Sequence, residues 1–361
     1  MNRDFHRMLM ALREPESMTA LSVADWDALL RHARGAGLLS RLALDIQACQ
    51  GWEMVPVRVR CHMRASSFVA ERQIRAVEWE VHKVHEALGH LDIPIVLLKG
   101  AAYVMDRLPP ARGRLFGDID LLLPRGQLEQ AERILGFHGW QGGTEDEYDQ
   151  RYYREWMHEI PPLTHITRGS TLDVHHNILP LTARLKPRAE DLFAELRPIS
   201  GYRNLYRLGD ADLVLHSAAH LFHEGEWNNG LRDLVDLDAL LRHFGTRPTF
   251  WAELDRRADI LSLRTPMLHA LECAQTLLGT PIGETKARDG RSPPRKRLMC
   301  PVYKQGFASA HPDMQGPFAG LALFFLYLRS HWLKMPPRLL FPHLAHKALV
   351  RLRKDEKIVV E

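Results

Sequence analysis

The sequence predicts an α+β protein in which a small mixed sheet stands between two helical regions. Apolar residues follow helical spacing over residues 1–90. Short apolar runs then alternate with short helical segments over residues 91–180, and helical spacing returns over residues 181–361. These changes of period predict an N-terminal helical region, a central core and a C-terminal helical region. A chain of 361 residues is long enough for such a division.

The N-terminal region is expected to end in a long amphipathic helix. From Ile74 to Leu91 the apolar residues lie alternately three and four positions apart, which places them on one helix face. Gly89 and Pro94 are typical of the end of a helix.

The central region reads as strand, helix, strand, helix and then a pair of strands. Short runs of β-branched and apolar residues predict the strands, and Pro109 and Pro124 end the segments before them. The predicted strands are 93–98, 118–123, 159–167 and 170–176, and the predicted helices are 101–108 and about 125–135.

The C-terminal region is expected to be helical. Predicted helices cover residues 212–223, 231–243, 249–259 and 266–278. A polar, basic loop follows at 281–301, either a surface linker or a site for a phosphate-rich partner. The apolar run from Phe318 to Leu328 has 11 residues, too few to span a bilayer. It predicts a buried helix, with partial membrane association through Trp332 and the basic tail as the alternative.

Composition excludes several classes of protein. The net charge of +4 does not suggest a protein that coats long nucleic acids. Four scattered cysteines, with no C-x-x-C pair, argue against a disulfide scaffold and favour a reducing compartment. The N-terminus has no signal-peptide pattern and no run is long enough for a transmembrane helix, so we expect a cytoplasmic protein.

The segment DIDLLL carries the first chemical signal. In a strand, Asp118 and Asp120 project from the same face while Ile119 points to the other. Two adjacent carboxylates repel each other unless a cation neutralises them. Hard divalent metals with oxygen ligands meet this need, Mg²⁺ above all and Mn²⁺ as a substitute. Asp173, in the strand STLDVHH, is the best third ligand, and it also has the chemistry to take an acceptor proton.

Basic residues precede the carboxylates. Lys99 and Gly100 close the first predicted strand, where a glycine lets the backbone approach a ligand and a helix N-terminus favours phosphate. Arg112 and Arg114 lie between this turn and Asp118 and are further candidates for phosphate contacts.

Histidines form a third group of candidates. His175 shares a strand face with Asp173, so it is a candidate contact for phosphate or acceptor, with a packing role as the alternative. His216, His220 and His223 share one helix face. Their spacing leaves open a zinc site, a wall of the ligand cleft with His220 or Asp233 reaching in, and a plain structural role.

The order of these motifs resembles the polymerase-β-like nucleotidyltransferase superfamily, whose core pairs a glycine-containing turn with a D-h-D strand and a later aspartate. The segments L-K-G, R-x-x-x-D-I-D-L-L, L-D-V-H, H-x-x-x-H and R-D-L more closely resemble the bacterial family of uncharacterised nucleotidyltransferases. The motif core covers Leu97 to His176, and weaker similarity extends to about Leu241.

The resemblance implies a polymerase-β-like mixed sheet and a Mg²⁺-dependent transfer of a nucleoside monophosphate. The donor would be an NTP, ATP foremost, and pyrophosphate would be released. Asp118, Asp120 and Asp173 would hold the metal, and Lys99 with Gly100 would form the phosphate turn. The acceptor is expected to be a small molecule or a protein rather than a long nucleic acid.

Two features depart from the superfamily pattern. Gly100 is followed by Ala101 rather than serine, and the gap from Gly100 to Asp118 is longer than the minimal pattern. The missing hydroxyl slightly favours an alternative, a catalytically degenerate module that binds a nucleotide or a protein partner. A zinc hydrolase built on the helical histidines is a third hypothesis.

Overall fold

The structure is a computed structural model that describes residues 2–143, 153–223, 225, 227–284 and 299–340. A seven-stranded mixed sheet is surrounded by helices, which confirms the α+β prediction. The strands are β1 Ile95–Leu97, β2 Asp118–Leu122, β3 Trp140–Gly142, β4 Leu163–His165, β5 Thr171–His175, β6 Arg197–Pro198 and β7 Leu205–Arg207.

The helices fall into groups before, within and after the sheet. The N-terminal group is α1 Arg3–Arg13, α2 Val23–Gly35, α3 Leu39–Ala48 and α4 Val57–Leu88. Within the sheet region lie α5 Lys99–Met105, α6 Leu128–Phe137 and α7 Ala189–Phe193. The C-terminal group is α8 Asp210–His223, α9 Gly230–Phe244, α10 Pro248–Ile260, α11 Arg264–Cys273, α12 Met299–Phe307 and α13 Ala319–Lys334.

Helix α4 matches the amphipathic helix predicted from sequence. It is 32 residues long, and the predicted stripe of Val77, Val81, Val84 and Leu88 is buried. The helix ends at Gly89, as expected. Helices α3, α5 and α6 all pack against it, so α4 joins the N-terminal region to the sheet.

The strand order is β3-β4-β5-β2-β1-β7-β6. Strand β2 pairs antiparallel with β1 and parallel with β5, and this second pairing aligns Asp120 with Asp173. The residues of β1 are fully buried, which explains their continuous apolar sequence. The two strands that carry the predicted carboxylates are therefore neighbours at the centre of the sheet.

Three strands were not expected from the sequence. Strand β3 follows α6, and β6 and β7 lie beyond residue 180, where only helices were predicted. Strand β7 pairs parallel with β1 and β6 extends the sheet edge. These strands have only two or three residues, which is too short for a periodic pattern. The strand predicted over 159–167 is also shorter, and within that range only β4 is a strand.

The C-terminal helices α8, α9 and α10 agree with prediction to within a few residues. Helix α8 is almost wholly buried and packs against α9, α10 and α11. Helix α11 stops at Cys273, and a π-helical turn over Ala274–Leu278 replaces the rest of the predicted helix. Residues 285–298 of the predicted basic loop, and the basic tail from residue 341 onward, lie outside the described residues.

Helix α13 contains most of the predicted apolar run, but the expectation that it is buried is wrong for one face. Phe318, Leu321 and Phe324 are 69%, 69% and 59% exposed, because only Ala319, Leu326 and Ser330 are buried against the body. Among the described residues, no helix combines the length and the apolar composition that a membrane crossing needs.

Candidate active site

Three carboxylates meet on the two central strands. Asp118 and Asp120 lie two residues apart on β2, and Asp173 lies opposite Asp120 on β5. One oxygen from each carboxylate lies within 4.8 Å of the others. The structure thus brings together the three aspartates that were singled out from the sequence, because the two strands that carry them are paired.

Asp120 is the best-neutralised member of this carboxylate cluster. Its Oδ1 lies 3.4 Å from Nζ of Lys99 and 3.0 Å from Nε2 of His175. Burial raises the pKa of Asp120, but the positive charge of Lys99 and the hydrogen bond from His175 outweigh it and hold the pKa well below the usual range. Asp120 is therefore ionised at neutral pH.

The other two carboxylates are less well compensated. Burial and the charge of Asp120 raise the pKa of Asp118. Burial, Asp120 and Glu159 raise the pKa of Asp173 to about 7. The Oδ1 atom of Asp173 is buried and has no hydrogen-bond partner. The ionised forms of Asp118 and Asp173 are therefore less well stabilised than that of Asp120.

His175 lies behind the carboxylates rather than in front of them. Its side chain is 4% exposed, with Nε2 toward Asp120 and Nδ1 3.2 Å from Oε2 of Glu159. Burial lowers the pKa of His175, but the two carboxylates outweigh burial and raise it. This geometry suits a residue that orients Asp120, and it leaves no ring nitrogen facing a ligand. Sequence reasoning did not single out Glu159, since an isolated backbone bridge to His175 positions it.

The Lys99-Gly100 turn lines the cavity, and two neighbouring side chains give a structural reason for its glycine. A methyl group at Gly100 would lie 2.8 Å from Nη1 of Arg114 and 2.9 Å from Cδ1 of Phe116. The glycine therefore makes room for these two side chains. Lys99 adopts a left-handed conformation, with φ of 38°, and this backbone strain is typical of functional positions.

Of the two arginines predicted to contact phosphate, only one lies at the site. Arg114 reaches the site, where its Nε donates to Asp236 at 2.7 Å and its side chain is 11% exposed. Arg112 instead bonds the carbonyl oxygen of Leu44 and lies 3.1 Å from the carboxylate of Asp45 on α3. The structure does not bring Arg112 to the carboxylates.

A cavity of about 360 Å³ opens in front of β2 and is closed on its far side by α8 and α9. Lys99, Gly100, Asp118 and Asp120 line the sheet side. Ser217, His220, Asn229, Arg232, Asp233 and Asp236 line the helical side. The segments H-x-x-x-H and R-D-L pointed to this wall, whereas Ser217, Asn229 and Asp236 had no distinguishing pattern.

The three helical histidines have three different environments. His220 lines the cavity. His216 is buried with an unpartnered Nδ1, and Nδ1 of His223 contacts the carbonyl oxygen of Ala219 at 3.1 Å. Groups of metal-ligating side chains occur at three places in the described part of the chain, and none of them contains these histidines. The zinc hypothesis therefore gains no support from α8.

The carboxylate cluster fits a hard divalent cation. All three donors are oxygens, the ligand type that Mg²⁺ prefers, and Mg²⁺ is commonly held by a few carboxylates together with substrate phosphates. The unpartnered Oδ1 of Asp173 and its raised pKa are the signs of a site that lacks positive charge. Asp118, Asp120 and Asp173 are the residues that would hold the ion.

Comparison with protein families agrees with this geometry. A family model described as uncharacterised nucleotidyltransferase matches residues 22–279, which is more than half of the chain and includes the whole cavity. The chain belongs to this nucleotidyltransferase family. Neither the search of curated proteins nor the search of solved structures found a match.

Proposed function

We propose that this protein transfers a nucleoside monophosphate from an NTP to an acceptor, with release of pyrophosphate. The observation that carries the proposal is the carboxylate cluster of Asp118, Asp120 and Asp173, of which Asp118 and Asp120 line a cavity of about 360 Å³. An acceptor oxygen attacks the α-phosphorus, and the bond from that phosphorus to the pyrophosphate oxygen breaks. Bound Mg²⁺ would neutralise the charge that develops on the phosphate oxygens.

The basic residues of the cavity supply the contacts for the triphosphate. Lys99 lies beside Asp120 and also lines the cavity, so a phosphate group can replace Asp120 as the partner of the Lys99 ammonium group or share that ammonium group with it. Arg232 lines the opposite wall, 3.0 Å from Asp233. Arg114 is held by Asp236 and adds positive charge beneath the turn. We assign no phosphate contact to Arg112.

Asp173 is suited to handle the acceptor proton. The pKa of about 7 belongs to the metal-free site and a bound cation would lower it, so the assignment as general base rests on the position of Asp173 opposite Asp120. Its Oδ1 has no competing hydrogen bond. We assign to this oxygen the proton that leaves the attacking hydroxyl.

The helical wall is the proposed acceptor side. Ser217, His220, Asn229 and Asp233 present hydroxyl, imidazole, amide and carboxylate groups to the cavity. Such a set recognises a polar acceptor through directional hydrogen bonds. The cavity volume favours a small molecule or a single side chain over a nucleic-acid duplex.

A catalytically degenerate nucleotide-binding module is the second candidate. Ala101 is buried at the phosphate turn, so the hydroxyl of the superfamily's serine is missing there. Such a module would bind the NTP without releasing pyrophosphate.

Thermal unfolding with each NTP, with and without Mg²⁺, tests the binding step before any acceptor is known. A ligand at 100 times its Kd stabilises a protein by about 2.7 kcal/mol. We expect a Mg²⁺-dependent shift in the wild type and none in Asp118→Asn/Asp120→Asn. A control, Asp27→Asn/Asp92→Asn, removes two carboxylates that are 70% and 91% exposed and lie outside the cavity. It should keep the shift.

Three results separate the candidates. A shift together with pyrophosphate release on addition of candidate acceptors supports the transferase. A shift without release under any acceptor supports the degenerate module. No shift with any NTP in folded wild-type protein contradicts both.

A further inference from the structure

Two of the four cysteines lie next to each other, far from the carboxylates. Cys273 is the last residue of α11 and Cys300 is the second residue of α12. Their sulfur atoms are 3.8 Å apart, with the Cys273 thiol donating to the sulfur of Cys300. Cys49 and Cys61 lie elsewhere, on and near the N-terminal helices. The pair thus joins two helices of the C-terminal region.

The two thiols differ in access. Cys273 is 0% exposed, whereas Cys300 is 8% exposed and lines a second cavity of about 440 Å³. Arg13, Lys304 and His6 bring basic groups to this cavity, and Glu272 is its acidic member. A small polar reagent can therefore reach Cys300 but not Cys273.

The two thiols also differ in acidity. The hydrogen bond from Cys273 stabilises a negative charge on the sulfur of Cys300 and lowers the pKa of Cys300. The same contact, together with burial, raises the pKa of Cys273 well above its usual value. The accessible thiol is thus also the one that ionises more readily.

We propose that Cys300 and Cys273 form an oxidisable dithiol, in which Cys300 reacts with a hydroperoxide and Cys273 resolves the product into a disulfide. The Cys300 thiolate attacks one peroxide oxygen, the O–O bond breaks, and Cys300 becomes a sulfenic acid while the other oxygen leaves as hydroxide or alkoxide. The Cys273 sulfur then attacks the Cys300 sulfur and water leaves. Two electrons pass from the two sulfurs to the peroxide.

The surrounding backbone permits the closing motion. The sulfur atoms must approach by about 1.8 Å to reach bonding distance. Cys273 lies where α11 gives way to a π-helical turn, and Cys300 lies in the first turn of α12. Because Cys273 is fully buried and its helix continues into the π-helical turn, Cys300 at the start of α12 is the residue that would move. The pair lies outside the nucleotide cavity, so this chemistry is independent of nucleotidyl transfer.

Treatment of the reduced, full-length protein with hydrogen peroxide tests the proposal. We expect the intact mass to fall by two hydrogen atoms, and peptide mapping to find a Cys273–Cys300 disulfide that a thiol reductant reverses. In Cys273→Ser, a sulfenic-acid trapping reagent such as dimedone should label Cys300. In Cys300→Ser, Cys273 should remain unlabelled, because it is buried and its pKa is raised.

Two further variants sharpen the experiment. Lys304→Ala removes a cation from the cavity and should slow disulfide formation, by up to about tenfold for a change of one pKa unit in Cys300. Cys61→Ser removes an exposed thiol on α4 and should leave formation of the disulfide unchanged. Oxidation confined to Cys49 or Cys61, or trapping of a sulfenic acid at Cys273, would overturn the proposal. Circular dichroism of each variant establishes that it is folded.

Discussion

Two regions at the same sheet each contain a buried acid, Asp210 in one and Asp120 in the other, and the charges around these acids are balanced in opposite ways. Beside β7, each oxygen of Asp210 meets an arginine, because Nη1 of Arg207 is 2.8 Å from Oδ1 and Arg247 contacts Oδ2. Across β1, on β2 and β5, the basic groups that contact the three aspartates of the carboxylate cluster, among the residues that the structure describes, are Lys99 and His175.

The difference separates an architectural acid from a functional one. Asp210 has two cations for one carboxylate, so nothing further is needed to keep it buried. The carboxylate cluster has three carboxylates for two basic groups, and Oδ1 of Asp173 has no partner. Such an imbalance is unfavourable in the folded protein, and a bound cation relieves it.

The largest expected effect comes from removing one of the two arginines that contact Asp210. Arg207→Met leaves Asp210 with one arginine and also removes the ion pair to Asp106, while the side chain stays apolar and long. Removing one partner of a buried ion pair costs about 3–5 kcal/mol. We expect a loss of this size in the free energy of unfolding, measured by urea denaturation.

Arg188→Met is the matched control for this change. Arg188 pairs with Asp191 but is 73% exposed, so its removal should cost less than about 1 kcal/mol. Equal losses in the two variants would show that the Arg207 pair is no more important than a surface contact.

The next effect concerns the nucleotide. Lys99→Ala removes the ammonium group that lies 3.4 Å from Asp120 and should weaken NTP binding by about 1.5–3 kcal/mol, the range for hydrogen bonds to charged groups. Titration calorimetry with Mg²⁺ and NTP measures the change. Lys304→Ala, in the second cavity, removes the same charge elsewhere and should leave NTP affinity unchanged. Unchanged affinity in Lys99→Ala would remove Lys99 from the phosphate site.

Much of the carboxylate cluster was predictable from sequence, because its three aspartates lie on strands with a clear pattern. Period-two spacing placed Asp118 and Asp120 on one face, and the apolar neighbours of Asp173 identified its strand. That β2 and β5 are neighbours did not follow from this pattern, because α6, β3 and β4 lie between them in the chain. Their parallel pairing, with Asp120 beside Asp173, is the arrangement that the chemistry required.

The ion pairs of Asp210 were not predictable in the same way. Arg207 lies on a three-residue strand, which is too short to show any period. The helical wall of the cavity was only partly predictable, because the contact of Asp236 with Arg114 depends on how α9 packs over the sheet. Gly100 was predicted for the correct turn but for a different reason, since the side chains of Arg114 and Phe116 occupy the space in front of it.

A third effect is the pH dependence of metal binding. Burial and neighbouring carboxylates raise the pKa of Asp173 to about 7, so below that pH a metal ion must displace a proton. Affinity for Mg²⁺ should rise by up to tenfold, or about 1.4 kcal/mol, per pH unit below neutrality and level off above it. Thermal shifts with Mg²⁺ at several pH values measure this. A flat profile in the wild type would contradict the assignment of Asp173 as a ligand.

The last effect is on the stability of the metal-free protein. The folded pKa of Asp173 is above its unfolded value of about 3.9, so the folded protein binds the extra proton in between. The neutral carboxyl makes its full contribution to the free energy of unfolding below about pH 4, and this contribution is lost as the pH rises through about 7. Asp173→Asn keeps the shape of the neutral carboxyl and removes this loss.

We therefore expect wild type and Asp173→Asn to have similar free energies of unfolding near pH 3, since the carboxyl is largely neutral there in both the folded and the unfolded state. Near pH 8, in the presence of a chelator, the variant should be the more stable protein, because only the wild type then has an ionised carboxylate at this position. Added Mg²⁺ should stabilise the wild type and do so less in the variant, which reverses the order. A variant that is less stable at both pH values without metal would instead place Asp173 among the architectural acids, with Asp210.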